Sequence, residues 1–245
     1  MDGETVVLIH PSATMWNYFE LVNPYLTDKF HLVIPALPGY DEDCPGEDFT
    51  SVKDVATRIE DWLLERGITE IAGLYGCSMG GSTVILMLAS GRIRIRSAYI
   101  DGGVTPYDLP WIATRAIAVK DWCLLMMGKL GGKKLLANAF AAGETTEHDL
   151  DYLAHVLKFM SSRTIWRTFE SCNNYKMPEG TIDTSSRILY SYGDGEASER
   201  KDDIAYVARK FPQAQFRVQP NIGHGMMAAN RPEDLARQIT ELIEG

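Results

Sequence analysis

Six short apolar runs recur along the chain, over residues 5–9, 31–35, 70–75, 96–100, 187–192 and 215–219, and amphipathic segments separate them. Valine and isoleucine recur in these runs, and most show little apolar–polar alternation, as expected of strands buried on both faces. The pattern therefore predicts one parallel sheet with helices packed on either side. Between the helices, Ser51-Val-Lys-Asp54 reads as a capping start, followed by Val52, Val55, Ile59, Trp62 and Leu63 on one face. Asn230 is the expected cap of a last helix carrying Leu235, Ile239, Leu242 and Ile243. At 245 residues the chain has room for one such core and an insertion.

The third run leads directly into Gly76-Cys77-Ser78-Met79-Gly80, and an apolar helical segment, 82–89, follows. A serine on a tight strand-to-helix turn needs neighbours without a β-carbon, because helix and strand approach each other there. The helix starting at Met79 directs its free N–H groups at whatever is bonded to Ser78. Glycine and serine are common in loops, so the pentad gains weight only if a base and an acid follow. His224 lies between Gly223 and Gly225, just after the sixth run. Asp194 and Glu196 stand in the turn that ends the fifth. The chain order is serine, acid, histidine.

On these motifs the chain resembles the α/β-hydrolase superfamily over nearly its whole length. Two further stretches carry the resemblance: Val6-Val-Leu-Ile-His10-Pro11-Ser12, similar to the family's strand and oxyanion loop, and Pro35-Ala-Leu-Pro38-Gly39. Pro11 stands where glycine is common, and a glutamate stands where aspartate is commoner. The resemblance implies an α/β-hydrolase fold with a trimmed parallel sheet of about six strands flanked by helices, and a helical cap insertion. It also implies a Ser78–His224–acid triad, with backbone N–H groups of Ser12 and Met79 as the oxyanion hole. Glu196, three residues after Gly193, is the expected acid. Asp194 reads as a turn cap, and Asp101 is a rival because some relatives supply the acid from that strand end.

More than eighty residues separate the fourth run from the fifth, far beyond an ordinary connection. Helices are expected over 110–127, 133–141, 146–160 and 162–175. An insertion leaving the carboxyl edge of the sheet overlies the site. The expected organisation is therefore a core of 1–103 and 181–245 with a cap of 104–180. The apolar content of the cap suggests a pocket lined by Trp111, Trp122, Met126 and Met127, with Trp16 added from the core.

A net charge of −9, without an extended basic cluster, argues against a nucleic-acid partner. The four cysteines lack metal-ligand spacing, and no cofactor motif is present. The apolar stretch 116–127 is broken by Lys120 and Asp121 and is too short to span a bilayer, so no stable membrane insertion is expected. The start of the chain runs straight into a strand, from which the cytoplasm is the expected compartment; oligomeric state is left open. The expected reaction is hydrolysis of a carboxylic ester, or a related acyl bond, of a small, largely apolar substrate. Acyl transfer or C–C bond hydrolysis on the same residues is an alternative, and a ligand receptor with vestigial hydrolysis is another, distinguished by its lack of turnover.

Overall fold

The computed structural model describes residues 3–133, 135–136 and 146–245. Six strands, β1 (Glu4–Ile9), β2 (Phe30–Val33), β3 (Glu70–Cys77), β4 (Arg94–Asp101), β5 (Arg187–Gly193) and β6 (Gln215–Gln219), form one sheet. Their order is β2-β1-β3-β4-β5-β6, and every neighbouring pair is parallel. Alternation along each strand sends side chains to opposite faces. Val7 and Ile9 join one apolar cluster and Val6 and Leu8 another. The first cluster is closed by α1 (Val52–Glu65), α2 (Met79–Ser90) and α6 (Lys201–Lys210), and the second by two 3-10 turns near residues 16–25 and by α8 (Pro232–Glu244).

Ser51 caps α1 by accepting the Asp54 N–H at 3.1 Å. Val52, Val55, Ile59 and Leu63 are buried as the spacing predicts, but Trp62 turns outward with Arg66 stacked on its ring at 3.9 Å. The last helix begins at Pro232, two residues beyond the expected Asn230 cap. Proline is at home in a first helical turn because its missing N–H has no partner to lose there.

Between β4 and β5 lie α3 (Trp111–Gly131), α4 (Glu147–Phe159) and α5 (Ser162–Cys172). Thr146 and Asp149 form a reciprocal capping box at the start of α4, and the Ser161 hydroxyl accepts the Thr164 N–H at the start of α5. Most of the helix expected over 133–141 falls outside the described residues. α7 (Met227–Asn230) is a single turn between β6 and α8.

Candidate active site

β3 occupies the middle of the sheet, and its carboxyl end is where the chain is tightest. A β-carbon on Gly76 would lie 2.3 Å from the Gly80 carbonyl oxygen, and one on Gly80 would lie 2.3 Å from that of Ile9. Only glycine lets β1, β3 and the first turn of α2 approach this closely. Ser78 is held between them at φ 53°, ψ −112°, a conformation that costs a non-glycine residue roughly 1–3 kcal/mol. Its N–H donates to the Asp101 carbonyl at 2.8 Å, tying the turn to the end of β4.

The loop after β6 brings His224 to this turn. Its Nε2 lies 2.9 Å from Ser78 Oγ, and its Nδ1 lies 2.6 Å from Glu196 Oε2. Glu196 sits in the 3-10 turn that follows β5, where its other oxygen accepts the Gly193 N–H at 3.0 Å. Burial by itself would raise the Glu196 pKa. The hydrogen bond and charge of His224, the Gly193 N–H and the Arg200 charge outweigh it and hold the carboxyl below its ordinary value.

The other two carboxylates are engaged elsewhere. Buried Asp101 accepts hydroxyl hydrogen bonds from Tyr75 at 2.8 Å and Ser191 at 2.9 Å, and burial raises its pKa. Its neighbour Gly102 lies against the histidine, where a β-carbon would sit 2.9 Å from the ring. Asp194 accepts the Asn221 N–H at 3.0 Å and so shapes the approach to the His224 loop.

Two supporting features are absent from the sequence reading. The Tyr18 hydroxyl donates to the Gly225 carbonyl at 2.7 Å and pins the residue after His224. Arg200, nearly buried, lies 3.4 Å from Glu196 Oε2 and 2.9 Å from Asp203 Oδ2, while the other Asp203 oxygen accepts from both the N–H and the hydroxyl of Thr105, each at 2.7 Å. The i, i+4 spacing of Glu196 and Arg200 was a readable signal for the second. Nothing in the local pattern around Tyr18 points to Gly225, some two hundred residues away.

Ser12 follows β1 in a loop where Ala13 also takes a positive φ of 59°. Both Ser12 and Ser78 border a cavity of about 200 Å³. Met79 begins α2, so its N–H has no partner within the helix. Beneath this loop His10 is wholly buried, its Nδ1 2.8 Å from the Pro11 carbonyl oxygen and its Nε2 without a hydrogen-bond partner among the described residues. A neutral ring with its proton on Nδ1 satisfies that arrangement, and burial pushes the His10 pKa down to about 4.

Leu125 of α3, Tyr152 and Leu153 of α4, and Phe169 of α5 complete the cavity from the insertion. Tyr152 also joins the two sides, accepting the Met15 N–H at 2.8 Å and donating to Asn17 Oδ1 at 2.6 Å. The aromatic and sulfur side chains expected in the lining lie elsewhere. Trp16 is 47% exposed, and Trp111 is 67% exposed with Arg115 above its ring. Trp122 donates its Nε1–H to the Ser162 carbonyl and staples α3 to α5. Met126 packs on the core and Met127 faces solvent. Each residue turns a helix by about 100°, so the rotation that aims Leu125 into the cavity carries Met126 and Met127 away from it.

The parallel sheet, the strained strand-to-helix serine and the helical insertion after β4 are the architecture of the α/β hydrolases. Residues 6–238 match the Alpha/beta hydrolase family, and the chain belongs to it. Among solved structures it is similar to an α/β-hydrolase family protein from Desulfitobacterium hafniense (TM-score 0.76, 21% identity, 99% of this chain and 97% of that one). It is also similar to a thermophilic esterase from Thermogutta terrifontis (0.73, 18%, 98% and 89%) and to epoxide hydrolase I of potato, Solanum tuberosum (0.74, 13%, 99% and 93%). At these identities the likeness is one of fold. No curated protein matches the chain at a significant level. Among the described residues no helix is long and apolar enough to cross a membrane.

Proposed function

We propose that this α/β hydrolase cleaves carboxylic esters of small, uncharged substrates through Ser78, His224 and Glu196. The observation that carries the reading is the unbroken chain of short contacts, 2.9 Å from Ser78 to His224 and 2.6 Å from His224 to Glu196, at the end of the central strand. His224 Nε2 takes the proton as Ser78 Oγ attacks the carbonyl, and returns it to the departing alkoxide. Glu196 holds the Nδ1–H tautomer and offsets the charge of the imidazolium, with Arg200 and Asp203 positioning it. The Met79 and Ser12 N–H groups bind the oxyanion, each contributing on the order of 100- to 1,000-fold in rate. Water, activated by the same histidine, then releases the acid. Every group the reaction needs is a side chain or a backbone amide.

Segment 104–180 acts as the cap over this site. Leu125, Leu153 and Phe169 offer the acyl chain apolar contact, and the Asp149 carboxylate at the rim is occupied by the Thr146 N–H and hydroxyl. A cavity of about 200 Å³ is below the ~300–1,000 Å³ usual for drug-sized ligands, which favours short acyl groups. The test is a series of p-nitrophenyl esters of rising chain length together with a fluorophosphonate label. Turnover should peak at short acyl chains, and Ser78→Ala should lose both turnover and label while keeping its fold. Label on another residue, or equal rates at all chain lengths, overturns the reading.

A further inference from the structure

The α3 helix carries a face that neither the sheet nor the site uses. Its buried residues, Thr114, Ala118 and Gly128, and the cavity-facing Leu125 lie on one side. On the opposite side run Ile112, Ala116, Val119, Cys123, Met126 and Leu130, with Met126 half-buried at the margin and the others exposed. Ile112 is 75% and Leu130 81% exposed, and they are separated by 18 residues, five full turns or about 27 Å of helix. A charged residue at any of these six positions would break the stripe, and none is there.

The spacing of the six is 4-3-4-3-4. That is the heptad seam of a coiled coil, and it reads the same from either end. A palindromic seam is self-complementary when two copies lie antiparallel about a two-fold axis at the level of Asp121. Ile112 then faces Leu130 of the other copy, Ala116 faces Met126, and Val119 faces Cys123. Each pairing sets one class of seam position against the other, and a small alanine meets a long methionine. Isologous contacts of this kind are the commonest route to a homodimer.

We propose that the outer face of α3 packs against the same face of a second copy of this chain as an antiparallel helix pair. On this side of α3 the large apolar side chains of Ile112, Val119, Met127 and Leu130 are 46–81% exposed. At roughly 100 Å² apiece they offer about 400 Å² of apolar area, near the apolar half of the ~800 Å² that each partner contributes to a stable interface. A lipid surface fits the helix less well, because the cations beside the stripe are already engaged. Arg115 pairs with Glu170, Lys120 with Asp121, and Lys133 with Glu147 and Asp151. Lys129 donates to the Leu157 and Lys158 carbonyls, and the chain as a whole carries −9. The seam lies on the far side of α3 from Ser78, so the proposal stands independently of the reaction assigned above.

Sedimentation and light scattering across the micromolar range should give a dimer. Val119→Glu should weaken it by about 100-fold or more, since the charge is forced into the centre of the seam, while circular dichroism and ester turnover stay as in wild type. Val119→Cys, mildly oxidised, should give a covalent dimer through the partner's Cys123, and Cys123→Ser in that background should abolish the cross-link. A wild-type chain that is monomeric throughout this range, a dimer that persists in Val119→Glu, or a cross-link that survives Cys123→Ser each overturns the proposal. So does a monomer that binds neutral phosphatidylcholine vesicles through this face.

Discussion

Helices α2 and α3 are both apolar around most of their circumference, yet their surroundings differ completely. In α2 every residue from Met79 to Leu88 is buried, because the helix is wedged between the sheet and α1, with its first turn pressed against β1. In α3 only Thr114, Ala118 and Gly128 are fully buried. An all-round apolar helix signals burial on all sides. For α2 that requirement is met within the chain, which is why its amino terminus can hold Ser78 in a strained conformation. For α3 half of the requirement is left over, and a second copy would meet it. Rigidity at the site and availability at the surface thus come from similar sequences placed in different layers.

The largest effect is expected at the amino end of α2, where Ser78 meets His224. Glu196→Gln should lower kcat by up to about 10,000-fold through the wrong histidine tautomer, while Asp101→Asn, already committed to Tyr75 and Ser191, should change kcat by less than about tenfold. Steady-state kinetics under saturating ester decides it, and the reverse ranking would make Asp101 the orienting acid.

Next in size is the packing of α2 itself. Gly80→Ala places a methyl group 2.3 Å from the Ile9 carbonyl oxygen and should cost about 3 kcal/mol or more in urea unfolding, with a fall in turnover as β1 and its loop are pushed back. Near-native stability in this variant would contradict so close an approach of α2 to β1.

His10, buried under the same loop, has a folded pKa of about 4 against an ordinary 6.5. Between those values the unfolded chain binds more protons than the folded one, so this residue's contribution to stability falls as pH drops from 6.5 towards 4. The loss reaches about 3 kcal/mol. His10→Gln should show a shallower acid-side decline in stability than wild type, and identical pH slopes would contradict a buried neutral ring.

The smallest effect belongs to α3. Ile112→Gln should alter the stability of dilute protein by no more than about 0.5 kcal/mol, as for any exposed position. Wild-type Tm should rise with protein concentration and the variant's should not. A large loss at high dilution would show that Ile112 is covered within its own chain.

Strand order along the chain, the Ser78 pentad and the sequence of serine, acid and histidine were legible because each is written in a short stretch: apolar runs of strand length, or glycines that only a tight turn requires. Helix starts at Ser51 and Thr146 were legible for the same reason, since a cap is made by residues three apart. The sequence favoured Glu196 over its rival Asp101 only through its spacing from Gly193. Asp101 ends β4, next to the nucleophile strand, and is held by the hydroxyls of Tyr75 and Ser191, whereas Glu196 follows β5, one strand further out, and reaches His224 only through the fold of the turn and of the loop after β6. The lining of the cavity was decided by the rotation of α3 on its axis, which brings in Leu125 and turns Trp111 and Met127 to solvent. Periodicity reports that a helix has an apolar face only when it has a polar one. α3 is apolar nearly all round, so its sequence fixed neither which face meets the core nor that another would be left uncovered, and packing in three dimensions settled both.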